Sequence, residues 1–405
     1  MTVLPRLLVA SEFPPNAGGG GPAVVRQMLK DWPVEKLFWW SCLPERDCLF
    51  GQRVAAHAVA AMPPKLFPHR RALALKSWLL EKTWTPWATN HLLRTLKKFR
   101  PEVIWVIPHQ WAIPPLARVL LSSDLKFHVT MQDYMDSRGP IRRFGASRAN
   151  EFARLAGQLY AKAATRDATS HPMIADLRAR LGAEAAQMLH AGLEREDFEY
   201  LTRRPPNSTG QIRIVYAGSI SVEPTFAHFI KALEAIRHRL PKPVSIEVFS
   251  AHSYRDREWF DASWMHERGN VPDPQFTNAL RECDWGFAPM LLTEEDPGHF
   301  FSFPTKFISY LAAGLAIVTL GHERCSVVKM AESYRVGACV TSADLETLKS
   351  KLLEVFSLPD PWKVYGAEVM RCAQKEFDAA RSREILYQCF RECAGKAAPR
   401  SPPQP

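Results

Sequence analysis

With 405 residues, 46% of them hydrophobic and 23% charged, the chain has ordinary globular composition and length for two or three domains. No apolar run is long enough to span a bilayer, and the opening MTVLPRLLVASEFPP, broken by Pro5 and Arg6, lacks a signal-peptide profile. The net charge of +10 points to anionic partners, yet the compact basic motifs that mark nucleic-acid modules are absent, so nucleic acid is not an expected partner.

In chain order, residues 6–10 (RLLVA) predict a buried strand. The stretch SEFPPNAGGGGPAVVRQML follows, with Pro22 at the first helical position and Ala23, Val24, Met28 and Leu29 at helical spacing. Strand, glycine loop and helix in succession suit a phosphate or another anion at the helix start, which makes Gly19, Gly20 and Gly21 candidates for an acceptor or phosphate loop. The glycines are contiguous, so this is not the dinucleotide fingerprint, and a flexible connector is the alternative. Further strands are expected at 36–43, 103–107, 127–131 and 168–170, and helices at 151–164 and 172–181. Residues 69–101 mix Arg and Lys with Leu and Trp at helical spacing. They read as two amphipathic helices packed on a core, or as a patch for a membrane surface.

Residues 203–210 (RRPPNSTG) read as a linker, after which the alternation restarts. Strands are expected at 212–217, 244–250, 285–288 and 315–320, and helices at 225–240, 275–283, 304–313, 345–356 and 368–393. The tail from 394 is expected to be disordered. The fold class is therefore α/β, with two Rossmann-like doubly wound parallel-sheet domains, 1–202 and 211–375, and a central cleft for a ligand. Eight scattered cysteines without a CxxC pair suit free thiols in a cytoplasmic protein. Cys389 with Cys393, and His322 with Cys325, read as structural, and no metal is expected.

Several stretches, in this order, resemble the GT-B glycosyltransferases, nearest the retaining group called family 4. FPPNAGGGGPAVVRQML resembles that group's glycine loop, PEVIWVIPH its PDVIHAH strand, and VTMQDYMDSRG its TxHDxW segment. SHPMIADLRARLG with AGLEREDF resembles the lead into the linker, and FSFPTKFISYLAAGLAIVTLG is close to PTKxxEYLAAGKPVV. The resemblance implies a transferase that moves a sugar from a nucleotide-diphosphate sugar to a saccharide, a lipid-linked or another hydroxyl acceptor. It implies no cofactor beyond that co-substrate. It also implies that helix 376–393 returns to the first domain, as an expected consequence of the fold.

On that reading Gly218, Ser219, Ser302, Thr305 and Lys306 bind the donor diphosphate, and His109 and Asp133 are the catalytic candidates, Asp133 as base or hydroxyl partner. A loop histidine and a turn aspartate are the plain alternatives. The sequence also departs from the group. Ser219 and the residues up to Lys231 supply no Arg or Lys after the strand at 212–217, and Phe301 and Ser309 stand where the group has two glutamates. Glu294 and Glu295 are the nearby candidates for sugar contacts, and Arg138, Arg142, Arg143 and Lys306 the cations available to phosphate. These departures favour the alternative of a non-catalytic GT-B protein that binds a glycan, a nucleotide or a partner enzyme. An epimerase of the same fold would need a pair of cleft carboxylates that the sequence does not reveal. Attachment to the inner membrane surface is the localisation that the patch at 69–101 implies.

Overall fold

The computed structural model describes residues 4–15, 20–44, 55–63, 73–183, 187–205, 210–272, 274–292 and 296–395. The chain divides into two compact units, Met1–Ala191 with Ala380–Pro405, and Gly192–Ala379. The first unit carries β1 (Leu7–Ser11), β2 (Leu37–Ser41), β3 (Ala56–Val59), β4 (Val103–Val106), β5 (Phe127–Met131), β6 (Thr165–Ala168) and β7 (Gln187–Met188). They form one parallel sheet in the order β3-β2-β1-β4-β5-β6-β7. The second unit carries β8 (Ile212–Ala217), β9 (Val244–Phe249), β10 (Met265–Glu267), β11 (Trp285–Pro289), β12 (Ala316–Leu320) and β13 (Gly337–Val340), parallel in the order β10-β9-β8-β11-β12-β13. Strands β1, β4, β5, β9, β11 and β12 are buried at every residue, because helices cover both faces of a parallel sheet. In each sheet the order reverses once, between β1 and β4 and between β8 and β11. In doubly wound sheets that point, at the carboxyl ends of the strands, is where ligands bind.

Some expected boundaries move for identifiable reasons. The strand expected at 168–170 lies at Thr165–Ala168, because Ser170 is the N-cap of the helix His171–Leu181 and accepts the N–H of Met173 at 3.1 Å. The helix expected to start at Pro22 starts at Gly20. The run 368–393 is not one helix. It breaks between Pro361–Glu376 and Ala379–Cys393, where Leu193 donates its N–H to the carbonyl of Phe377 (2.6 Å) and accepts from Ala379 (3.0 Å). Gly192 belongs to this crossing, since a Cβ there would lie 2.3 Å from the Phe377 oxygen. The short strands β3, β7, β10 and β13, of two to four residues, were not expected.

Beyond the break, Phe390 packs its ring against Trp32, Trp105 and His128 at 5.3–5.5 Å, so the last helix completes the core of the first unit. Residues 73–99 form a helix, a π-helical turn at Leu80–Trp84 and a second helix. No helix among the described residues is long and apolar enough to cross a membrane.

Candidate functional site

In the second unit the reversal point is built around one tyrosine. Strands β8 and β11 pair only at Ile214–Trp285 and Val215–Gly286. Beyond that the hydroxyl of Tyr310 bridges them, accepting the N–H of Ala217 (3.0 Å) and donating to the carbonyl of Phe287 (3.2 Å). Gly286 makes room for the ring, which a Cβ there would strike at 2.3 Å. Tyr310 thereby anchors the helix Thr305–Ala312 at the strand ends, and Lys306 stands one turn earlier on the same face.

Lys306 lies with its Nζ 3.8 Å from the centre of the Tyr216 ring. It has no carboxylate partner among the described residues, and burial pulls its pKa down to about 7. Pro304 occupies the N-cap and offers no side-chain acceptor, so the first N–H groups of this helix are uncapped. Gly218 follows β8 with φ +98°, a conformation that glycine adopts without strain, and its missing Cβ would lie 3.9–4.0 Å from Lys306 Cε and Nζ. The structure thus brings Gly218, Thr305 and Lys306 together at one turn.

Ser219 is exposed there, and its carbonyl accepts the Tyr216 hydroxyl at 2.7 Å. The carbonyl of Ser302 accepts from Ser326 at 2.7 Å, fixing the approach to the helix. Ser309, where a glutamate was expected from the resemblance, donates to the Thr305 carbonyl within its own helix. Glu294 and Glu295 lie outside the described residues.

In the first unit the reversal point places the first residue after β1 beside the loop after β4. Glu12, only 5% exposed, accepts the Nδ1–H of His109 at 2.9 Å. Burial alone would lower the pKa of His109. The hydrogen bond and charge of Glu12, with the charge of Asp133, outweigh burial and the opposing Arg143, and the pKa is raised. The raised pKa favours the charged imidazole, and Nε2 carries no partner among the described residues. Gln110, next in the chain, holds φ +45°, a strained value for a side-chain-bearing residue.

Asp133 is exposed, close to β5. Beside it, Gln132 approaches Gly21 so closely that a Cβ on Gly21 would lie 2.6 Å from its Oε1, and its buried amide nitrogen has no hydrogen-bond partner among the described residues. Gly21 is thus bare because Gln132 packs on it, and its φ is not positive. Gly19 lies outside the described residues. Arg138, Arg142 and Arg143 sit on the helix Arg138–Phe144 of the first unit.

Sequence reasoning missed Glu12, Gln132, Tyr216 and Tyr310. Glu12 was legible as the acid immediately after the first strand. Tyr310 was legible only as an apolar-face residue. Among the described residues no group of three His, Cys, Asp or Glu side chains is placed to hold a metal ion.

No protein-family profile and no curated protein sequence matches the chain. Solved structures do. Sucrose-phosphate synthase from Thermosynechococcus elongatus is 13% identical, with a TM-score of 0.67 over 95% of this chain and 98% of that one. Anabaena HepE in complex with UDP-glucose is 12% identical, with 0.66 over 96% and 100%. The UDP-forming trehalose-phosphate synthase of Burkholderia xenovorans, in complex with glucose-6-phosphate, is 12% identical, with 0.65 over 95% and 100%. At such identities the likeness is one of fold, and the fold is that of the GT-B glycosyltransferases: two Rossmann-like parallel-sheet units in one chain.

Proposed function

We propose that the protein is a nucleotide-sugar-dependent glycosyltransferase. The observation that carries this reading is Lys306, a half-buried cation without a carboxylate partner, held by Tyr310 at an uncapped helix start beside the Gly218 turn. That arrangement suits a diphosphate, whose charge Lys306 and the helix N–H groups would take without a metal. Lys306 approaches the turn after β8, where the sequence has no Arg or Lys of its own. UDP and UDP-glucose in the HepE complexes support a nucleotide of this class as donor.

In the transfer, the second unit binds the donor and stabilises the departing diphosphate. The first unit takes the acceptor. Asp133 accepts a hydrogen bond from the attacking hydroxyl and receives its proton as the glycosidic bond forms. In its protonated form His109, oriented by Glu12, donates from Nε2 to a sugar oxygen. The resemblance to the family 4 group adds retention at the anomeric carbon, which the anomeric proton coupling of the product reports.

A thermal-shift screen against nucleoside diphosphates and nucleotide sugars tests the reading. At about a hundred times its dissociation constant a ligand adds roughly 2.7 kcal/mol. Stabilisation by the nucleotide sugar with hydrolysis or transfer supports the transferase. Stabilisation without turnover, whatever acceptor is supplied, supports the non-catalytic binder that Phe301 and Ser309 favour. No stabilisation rejects the transferase and the nucleotide-binding form of that alternative.

Peripheral membrane contact is a further part of the proposal. Leu75, Trp78, Trp87 and Leu93, 44–55% exposed, lie on residues 73–99 with Lys82, Arg94, Lys97 and Lys98. The π turn adds the residue that carries the exposed row of Trp78 and Lys82 onto Trp87. The protein is expected to sediment with anionic vesicles at low salt, and the double variant Trp78→Ser, Trp87→Ser to stay in solution. Sedimentation unchanged in that variant rejects the patch.

A further inference from the structure

The first unit holds a cavity of about 420 Å³ that the site residues do not account for. Its walls are the segment after β5 and the helices Ala146–Lys162 and His171–Leu181. The lining is largely apolar, with Met131, Met135, Ala153, Ala156, Leu177 and Leu181 prominent, and its size is that of a small-molecule site.

Asp133 and Asp136 also line it. Arg180 holds Asp136 Oδ2 at 3.0 Å, bonds Asp176 at 3.3 Å and lies over the Tyr134 ring, whose hydroxyl donates to Asp176 at 2.6 Å. This network fixes Asp136 at the wall of the cavity. Asp133 and Asp136 give the cavity a hydrogen-bond-accepting end, which suits a hydroxyl group. Asp133 belongs to both places, since it lines the cavity and its charge helps to raise the pKa of His109.

We infer that this cavity seats the acceptor, and that the acceptor is an amphiphile. Its hydroxyl-bearing head meets Asp133 and Asp136, and an aliphatic portion lies among the methionines, alanines and leucines. The word acceptor rests on the transferase reading; the cavity's preference for an amphiphile does not. One feature of the wall agrees with an amphiphilic ligand. The same helix carries Arg148, which binds Glu81 (3.2 Å) and the Ser77 carbonyl (3.5 Å) of the segment that exposes Leu75 and Trp78.

The test is a ligand-observed NMR titration of the whole protein with octyl glucoside, kept below its micelle concentration, against glucose. The apolar chain is expected to improve affinity by about tenfold or more. Ala153→Trp, which fills the cavity, and Leu181→Asp, which charges its partly exposed wall, are each expected to abolish that preference while leaving the thermal shift with UDP unchanged. Should Ala153→Trp not fold, Leu181→Asp carries the test. Equal affinity for octyl glucoside and glucose in the wild type, or a preference that survives the folded variants, overturns the assignment. A preference lost in the variants, in a protein that UDP does not stabilise, keeps the cavity assignment and removes the transferase reading.

Discussion

On the proposed reading, Lys306 makes nucleotide binding a proton-uptake reaction. Burial takes its pKa from an ordinary 10.5 to about 7, which corresponds to about 5 kcal/mol against the charged form. At pH 8 roughly nine in ten molecules therefore hold a neutral amine. A diphosphate against Nζ restores the charge, so binding at pH 8 takes up close to one proton, and at pH 7 about half of one. Affinity then falls about tenfold for each pH step above 7, until the pKa of the complex is reached. The terminal phosphate ionises near pH 6 and is already doubly charged over that range, so it adds little.

Calorimetry of UDP binding at pH 8 in buffers of different ionisation enthalpy measures the proton count directly. Lys306→Arg keeps a permanent charge and is expected to bind without proton uptake, with a flatter pH profile. Folding follows the same linkage. The native pKa lies below the unfolded one, so below pH 7 the native state carries the full cost of the buried charge. Between about pH 7 and 10.5 the unfolded chain holds a proton that the native state has lost, and stability rises. Lys306→Met is therefore expected to melt higher than wild type at pH 6 while losing the nucleotide. Binding at pH 8 with no proton uptake, and an affinity profile identical in Lys306→Arg, would refute the assignment of Lys306 to the diphosphate.

Glu12→Gln removes the partner that raises the pKa of His109, so the pH above which turnover declines should move down from its wild-type position, which lies above the ordinary histidine value of 6.5. A turnover profile that does not move separates His109 from the chemistry. Gly21→Val forces Gln132 from its place but leaves the core intact. Transfer should be lost, with UDP affinity and the melting temperature close to wild type; full transfer would reduce the glycines to a connector. Tyr310→Phe leaves the Ala217 N–H and the Phe287 carbonyl without their shared partner, at a cost of about 1–3 kcal/mol for each buried group. It should also weaken UDP, since Tyr310 positions the helix of Lys306. A stability loss without any change in UDP affinity would show the tyrosine to be purely structural.

The parallel sheets were legible because their central strands are buried on both faces and read as continuous apolar runs, β5 and β8 to the residue. The edge strands were not. β3 has four residues, all exposed or half-buried, inside an alanine-rich stretch that favours helix as much as strand, and β7 has two residues. The break in the last helical stretch was hidden for another reason. Residues 368–393 are good helix formers, and what interrupts them is a pair of hydrogen bonds to Leu193, far away in sequence. Local propensity carries no trace of such a partner.

The proposed donor site shows why a missing motif is weaker evidence than it looks. A cation is needed at a point in space beside the turn after β8, and the chain can deliver it from any element that reaches that point. Here Ser219 offers no charge at the turn, while the helix start at Thr305 brings Lys306 against Gly218 and Tyr216. Sequence comparison registers the lost position because it aligns residues along the chain. It does not register the approach of Lys306, which depends on Tyr310 bridging two strands that have stopped pairing. Desolvation then does what a neighbouring carboxylate would have undone: it leaves the lysine without a partner and ready to take up a proton when an anion arrives.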